Sequence, residues 1–223
     1  YLVSTTAIAI ENTHNFGGGS IQPIEEIALL SRQARELGLF LHLDGARIWN
    51  AHVASGVSLL EYGKYFETIS VCLSKGLGAP VGSLMISNKE RISSARVWRK
   101  RYGAGMRQVG ILAAAGHYAL DHNISRLADD HIKAKKLAQV CASAAPSTIN
   151  PDFVETNIVG LDLSKANVSA LEFASSAKQK GLLVSALGKS YLRLVTHMDI
   201  TDEANERAGA ILKELLERAF VLK

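Results

Sequence analysis

The sequence predicts an α/β fold: a mostly parallel sheet flanked by helices, followed by a small C-terminal α+β domain. Three observations predict it. Short apolar, β-branched runs alternate with helical patterns through the first half of the 223 residues. The chain then reads as helix from Lys89 to about Ala142. After Ala145-Pro146 and Asn150-Pro151 a second set of strands and helices begins. Strand, helix, strand is the grammar of a parallel sheet, whose functional residues gather at the carboxyl ends of the strands. The predicted domains are residues 1–142 and 143–223.

Residues 5–11 read as a buried strand and 16–20 (FGGGS) as a flexible turn. A helix follows from Pro23, a residue suited to a first helical turn. Ile24, Ile27, Ala28, Ala34 and Leu37 fall largely on one of its faces, and Gly38 closes it. A strand over 39–43 ends in Asp44-Gly45-Ala46-Arg47. Two more strands are expected at 68–73 and 81–87, separated by the loop 74–80. Helices are predicted over 89–101, 107–121 and 124–142. Beyond the Ala-Pro and Asn-Pro steps come a strand (154–163), a helix (169–180), two short strands (182–185 and 192–196) and a helix (202–219). No internal repeat or low-complexity segment interrupts this order.

Composition narrows the function classes. Hydrophobic residues make up 48% and charged residues 21% of the chain, too apolar for a disordered segment. No apolar run approaches the roughly 20 residues that span a bilayer, so no membrane partner is expected. Lys and Arg number 25 against 21 Asp and Glu, and a pI near 9.1 with so mild an excess does not by itself imply nucleic acid. Cys72 and Cys141 belong to no C-x-x-C pair and read as buried thiols of a cytoplasmic protein. The first residues, YLVSTTAIAIENTHN, carry no basic segment before their apolar stretch and are not a secretory signal. A start without Met, directly in strand-like residues, suggests that upstream sequence is missing.

Two residues stand out for chemistry. Lys75 lies in CLSKGLGAP, in a glycine-rich turn directly after an apolar strand, where a solvated surface charge is poorly placed. Gly76 and Gly78 let backbone and a planar ligand approach closely. A desolvated lysine gives up its proton readily and can form a Schiff base; an ordinary loop lysine is the plain alternative. Asp44 ends the strand LFLHL, and a carboxylate there needs a partner. That partner could be a cofactor cation or Arg47 three residues on. Asp and Lys at the ends of neighbouring strands are a more specific signal together than either alone.

ENTHN (11–15), LDGARIWNA (43–51), SKGLGAPVGS (74–83), GMRQVG (105–110) and RLVTH (193–197) occur in this order. Together they resemble the low-specificity L-threonine aldolases, pyridoxal-phosphate (PLP) enzymes of the aspartate-aminotransferase fold, or fold type I. The resemblance runs from Glu11 to the last helix. It implies a PLP cofactor, with Lys75 as its Schiff-base lysine and Asp44 as the partner of the pyridinium nitrogen. Arg47 would contact the phenolic side of the cofactor or the substrate carboxylate. Arg193 would be the main carboxylate clamp, its planar fork suiting bidentate recognition, with His197 in support, and His14 would lie near the substrate β-hydroxyl. The implied reaction is retro-aldol cleavage of threonine, allo-threonine and related β-hydroxy-α-amino acids to glycine and an aldehyde.

The resemblance also implies a homo-oligomer, dimer or tetramer, with sites shared between subunits. Family members carry an N-terminal segment with a glycine/threonine phosphate cradle, a ring-stacking histidine and a substrate-binding serine. None can be placed here, so the large domain is read as partial, its remainder upstream or on a separate chain. FGGGS does not replace the cradle: Gln22 stands where G-x-G-x-x-G needs its third glycine. This polypeptide alone is therefore expected to bind PLP poorly.

Other readings compete. Another fold-type-I PLP reaction, β-elimination or transamination, is the nearest alternative. His42-x-Asp44 has the spacing of part of an iron facial triad, but those ligands sit on a β-sandwich, and His42 is expected to point away from Asp44's site; no metal is expected. The segment 89–107 holds seven basic residues (Lys89, Arg91, Arg96, Arg99, Lys100, Arg101, Arg107) and only Glu90 as an acid. A nucleic-acid-binding helix is one reading of that run, and contact with a cofactor phosphate is preferred. Gly188-Lys189-Ser190 fails as a P-loop, because Leu183 holds the place of its first glycine. His52, His117, His122 and His131 lie in helical patterns without metal-ligand spacing. Trp49 and Trp98 read as packing residues.

Overall fold

The computed structural model describes residues 3–220. They form two compact units. One runs up to Thr13 and resumes over Ile21–Arg126; the other joins His14–Ser20 to the chain from Leu127 onward.

In the first unit β1 (Ala7–Glu11), β2 (Phe40–Gly45), β3 (Thr68–Cys72) and β4 (Ser83–Ile86) lie in that order in one sheet. β1, β2 and β3 are parallel, with Glu11 beside Asp44 and Asp44 beside Ser70. β4 returns antiparallel on β3. Its direction has a covalent cause: the connector 73–82 is shorter than the about a dozen residues a parallel crossover needs.

The parallel steps carry helices. α1 (Ile24–Glu36) begins after Pro23, has Glu25 and Glu26 in its first turn and Arg35 in its last, and buries Ile27 and Ala34. Those charges suit the two ends of the helix dipole. α2 (Ile48–Ser55) and α3 (Leu59–Gly63) connect β2 to β3. The helical pattern around His52 is α2, although four consecutive residues of it, Ile48 to Ala51, are buried, which blurs the 3.6-residue period that marks a helix in sequence; α3 is not among the expected elements. Leu41, Leu43, Ile69 and Val71 are buried on one face of the sheet. Phe40, His42 and Asp44 share the other face with Thr68, Ser70 and Cys72, and Phe40 is 53% exposed there. α4 (Lys89–Arg101), capped by Asn88, buries no residue, and α5 (Gly110–His122) completes the unit.

The second unit holds α6 (Leu127–Ala144), β5 (Ile158–Asp162), α7 (Ala170–Gln179), β6 (Ser185–Ala186), β7 (Tyr191–Val195) and α8 (Asp202–Ala219). The sheet order is β5-β7-β6, antiparallel throughout. Leu192 and Leu194 of β7 and Val159 and Leu161 of β5 pack into one core with Leu137 and Cys141 of α6 and Leu212 and Leu216 of α8. That shared core places α6 in this unit, so the contacts divide the chain near residue 126 rather than 142. Ser169 caps α7 in a reciprocal capping box with Glu172, and Thr201 caps α8.

Candidate active site

Lys75 leaves the carboxyl end of β3 in a loop fixed at both ends. Leu73 N–H donates to Gly82 O at 2.9 Å, Ala79 N–H to Leu73 O at 3.1 Å and Gly78 N–H to Lys75 O at 2.9 Å. Leu73, Leu77 and Ala79 are buried, and Asn123, just past α5, donates to Leu77 O at 2.7 Å. Gly78 takes a left-handed φ of 73°, which favours glycine. The buried leucines anchor the loop while Lys75 itself is exposed. The expectation of a lysine shielded from solvent is therefore not met among the described residues.

Asp44 stands at the carboxyl end of β2, the strand beside β3. It too is exposed, and its Oδ1 accepts the Ala46 N–H at 3.1 Å. Gly45 is a close-approach residue: a Cβ there would lie 2.9 Å from Ser70 O and 3.3 Å from Ile48 Cβ. Arg47 is half-buried at the N-cap of α2. The helix ties back to the neighbouring strand, because the Trp49 indole donates to Cys72 O at 2.8 Å. One short stretch thus fixes the end of β2 and the point where the Lys75 loop departs.

β2 stays regular to Gly45, so His42 shares a face with Asp44, contrary to the expectation that it points away. Its Nδ1 shares a hydrogen bond of 2.7 Å with Thr68 Oγ1. Among the described residues, no group of three His, Cys, Asp or Glu side chains could hold a metal ion.

In the second unit Arg193 sits mid-strand on β7, paired with Gly160 and Ser185. Its guanidinium Nη1 donates to Asn15 Oδ1 at 2.8 Å. Its Nε is buried with no partner among the described residues. Burial pushes the Tyr191 phenol up, and the Arg193 charge opposes that shift. His14 is half-buried and pairs backbone with Ser20 across the turn. His197 stands 3.4 Å from the Asp199 carboxylate. Asn15 lies inside ENTHN and has no expected role there. No local signal could have supplied one, since its partner lies 178 residues away.

Other groups are quieter. Cys141 is fully buried and its thiol is pushed up to about 12 by burial; Cys72 is only half-buried. Burial lowers His131 to about 4. Trp49 packs inside as expected. Trp98 is 49% exposed, stacked on Tyr102 and covered by Arg101 at 4.8 Å. Among the described residues, no helix is long and apolar enough to cross a membrane.

Comparison with known proteins follows the same lines. A family model described as beta-eliminating lyase matches residues 1–165. The low specificity L-threonine aldolase of Escherichia coli strain K12 is 40% identical over 218 residues, covering 98% of this chain and 62% of its own. Low-specificity L-threonine aldolase 1 of Arabidopsis thaliana is 38% identical over 199 residues, 89% of this chain and 56% of its own. The chain therefore spans about three fifths of the length of these curated relatives. Among solved structures, the threonine aldolase of Leishmania major superposes with a TM-score of 0.68 at 18% identity, covering 95% of this chain and 61% of that one. At that identity the likeness establishes a shared fold.

Proposed function

The chain belongs to the beta-eliminating lyase family, and from that membership we propose that it carries the lysine-bearing and substrate-holding parts of a PLP-dependent aldehyde-lyase. The proposed reaction is cleavage of L-threonine, L-allo-threonine and related β-hydroxy-α-amino acids to glycine and an aldehyde. The observation that carries this reading is the pairing of strands. An acid ends β2, and an amine follows the end of the adjacent strand β3, the crevice in which parallel α/β sheets bind ligands.

The residues present fit the cofactor. Asp44 has one carboxylate oxygen on a backbone N–H and is exposed, as is Lys75, so both are open to a ligand. Bound PLP supplies an electron sink for the pair released when Cα–Cβ breaks. Lys75 would hold the cofactor through its side-chain amine. Asp44 would face the ring nitrogen and favour its protonated form, because a carboxylate favours a neighbouring cation. Arg193, assisted by Arg47, holds the substrate carboxylate and so fixes the torsion that sets the scissile bond. His14 accepts the β-hydroxyl proton; the aldehyde leaves, and a proton delivered to Cα completes glycine.

Basic residues of the segment 89–107 are assigned to anion contact, a cofactor phosphate in this subunit or a neighbour, in preference to nucleic acid. A homo-oligomer, dimer or tetramer, and a cytoplasmic setting accompany the reading. The test is product analysis with the complete protein. Equal amounts of acetaldehyde and glycine from L-threonine, reduced at least a hundredfold by Asp44→Asn, support it. A 2-oxo acid and ammonia as the products would assign the chain to β-elimination instead.

A further inference from the structure

The segment His14–Ser20 belongs to the second unit, and its construction is specific. Its ends close on themselves: His14 N–H donates to Ser20 O and Gly19 N–H to His14 O, both at 2.9 Å. The turn is then fastened to the unit. The fully buried Thr156 donates its hydroxyl to Gly19 O at 2.7 Å. Only glycine permits this approach, since a Cβ on Gly19 would lie 2.5 Å from Thr156 Oγ1, and one on Gly17 would lie 2.6 Å from His14 Nδ1. The residue this turn presents to β7 is Asn15, whose Oδ1 takes the Arg193 Nη1–H at 2.8 Å.

The strand under Arg193 is fixed as well. Thr196 N–H donates to Asn157 O at 3.0 Å, and Asn157 returns its amide to Thr196 O at 2.9 Å. One end of the guanidinium is therefore held, while Nε is shielded and has no partner among the described residues. With Nη1 held and Nε shielded, the plane of the guanidinium is fixed, and its remaining edge can meet a planar, two-oxygen acceptor.

We propose that Asn15 is the positioning residue of the carboxylate clamp, and that the glycine-rich turn His14–Ser20 is the splint that keeps it in place. This rests on Arg193 being the clamp proposed above. The residue type matters. A neutral amide accepts from the guanidinium and fixes its plane without cancelling its charge, whereas a carboxylate at position 15 would pair with Arg193 and compete with the ligand. The glycines of FGGGS, which fail as a phosphate cradle, have their role in letting the turn dock.

The test uses the complete holoenzyme and the variants Asn15→Ala, Asn15→Asp and Arg193→Ala, with steady-state kinetics and calorimetric binding of glycine and of glycinamide, which lacks the carboxylate. Asn15→Ala is expected to raise KM for threonine about tenfold with kcat within about twofold, matching the loss of one hydrogen bond to a charged group. It should weaken glycine by a similar factor and leave glycinamide unchanged. Asn15→Asp keeps size and acceptor, and is expected to weaken glycine at least as much; it serves as the decisive variant should the alanine form not fold. Equal weakening of glycine and glycinamide, or unchanged glycine affinity in Asn15→Asp, overturns the proposal. Arg193→Ala separates the two claims: if it spares glycine affinity the clamp assignment fails, and if it alone abolishes the preference for glycine only the role of Asn15 fails.

Discussion

The Trp49 indole N–H donates to the carbonyl of Cys72 at 2.8 Å, joining the helix that follows Asp44 to the last residue of the strand that precedes Lys75. Trp49 is 9% exposed, so this is an inside contact between the two segments that carry the proposed acid and amine. Trp49→Phe keeps most of the apolar contact and leaves the Cys72 carbonyl without that donor. The expected cost is about 1–3 kcal/mol, read as a lower urea midpoint with unchanged slope. PLP affinity should fall with it.

Gly45→Ala tests the close approach of β2 to β3. The added methyl would sit 2.9 Å from a backbone oxygen of Ser70, which cannot swing aside as a side-chain tip can. Destabilisation of about 1–3 kcal/mol is expected, together with weaker cofactor binding, because the displaced residue is the neighbour of Asp44. Gly56→Ala, at an αL helix end with nothing within 4 Å, is the comparison. It should lose stability to backbone strain of about 1 kcal/mol without a matching change in affinity.

Much of the candidate site was legible because its signals are contiguous. Asp44 and Lys75 each follow an apolar strand of about five residues, and the strand ends fell within one or two residues of expectation. What escaped notice had physical causes. The bounds of α2 are hidden because it is buried on successive residues. The direction of β4 depends on connector length. The exposure of Lys75 and Asp44 depends on what covers the outer sheet face, which no local pattern encodes. Asn15 acquires its partner only through the tertiary fold.

Thr156→Val removes a buried hydroxyl with little change in volume and leaves Gly19 O without its donor. A loss of about 1–3 kcal/mol is expected, measured by thermal unfolding. Hydrogen exchange at His14 N–H and Gly19 N–H should quicken as the turn loosens.

His131 gives a pH dependence with a definite sign. Burial lowers its folded value to about 4 from 6.5, so the unfolded chain takes up a proton at higher pH than the folded one. Stability is then full above about pH 6.5 and declines as pH falls toward 4, by on the order of 2 kcal/mol. In His131→Gln that part of the acid slope should disappear. An unchanged slope would show that His131 takes up its proton at the same pH in the folded and unfolded chain, so that burial does not shift it.

Borohydride reduction of the complete protein with PLP, followed by peptide mapping, addresses the chemistry most directly. Reduction should fix the cofactor covalently on the peptide that contains Lys75, with loss of the visible absorbance band, and Lys75→Ala should carry no label. A label on another lysine, or full labelling of Lys75→Ala, would contradict the assignment of Lys75 as the cofactor-bearing amine.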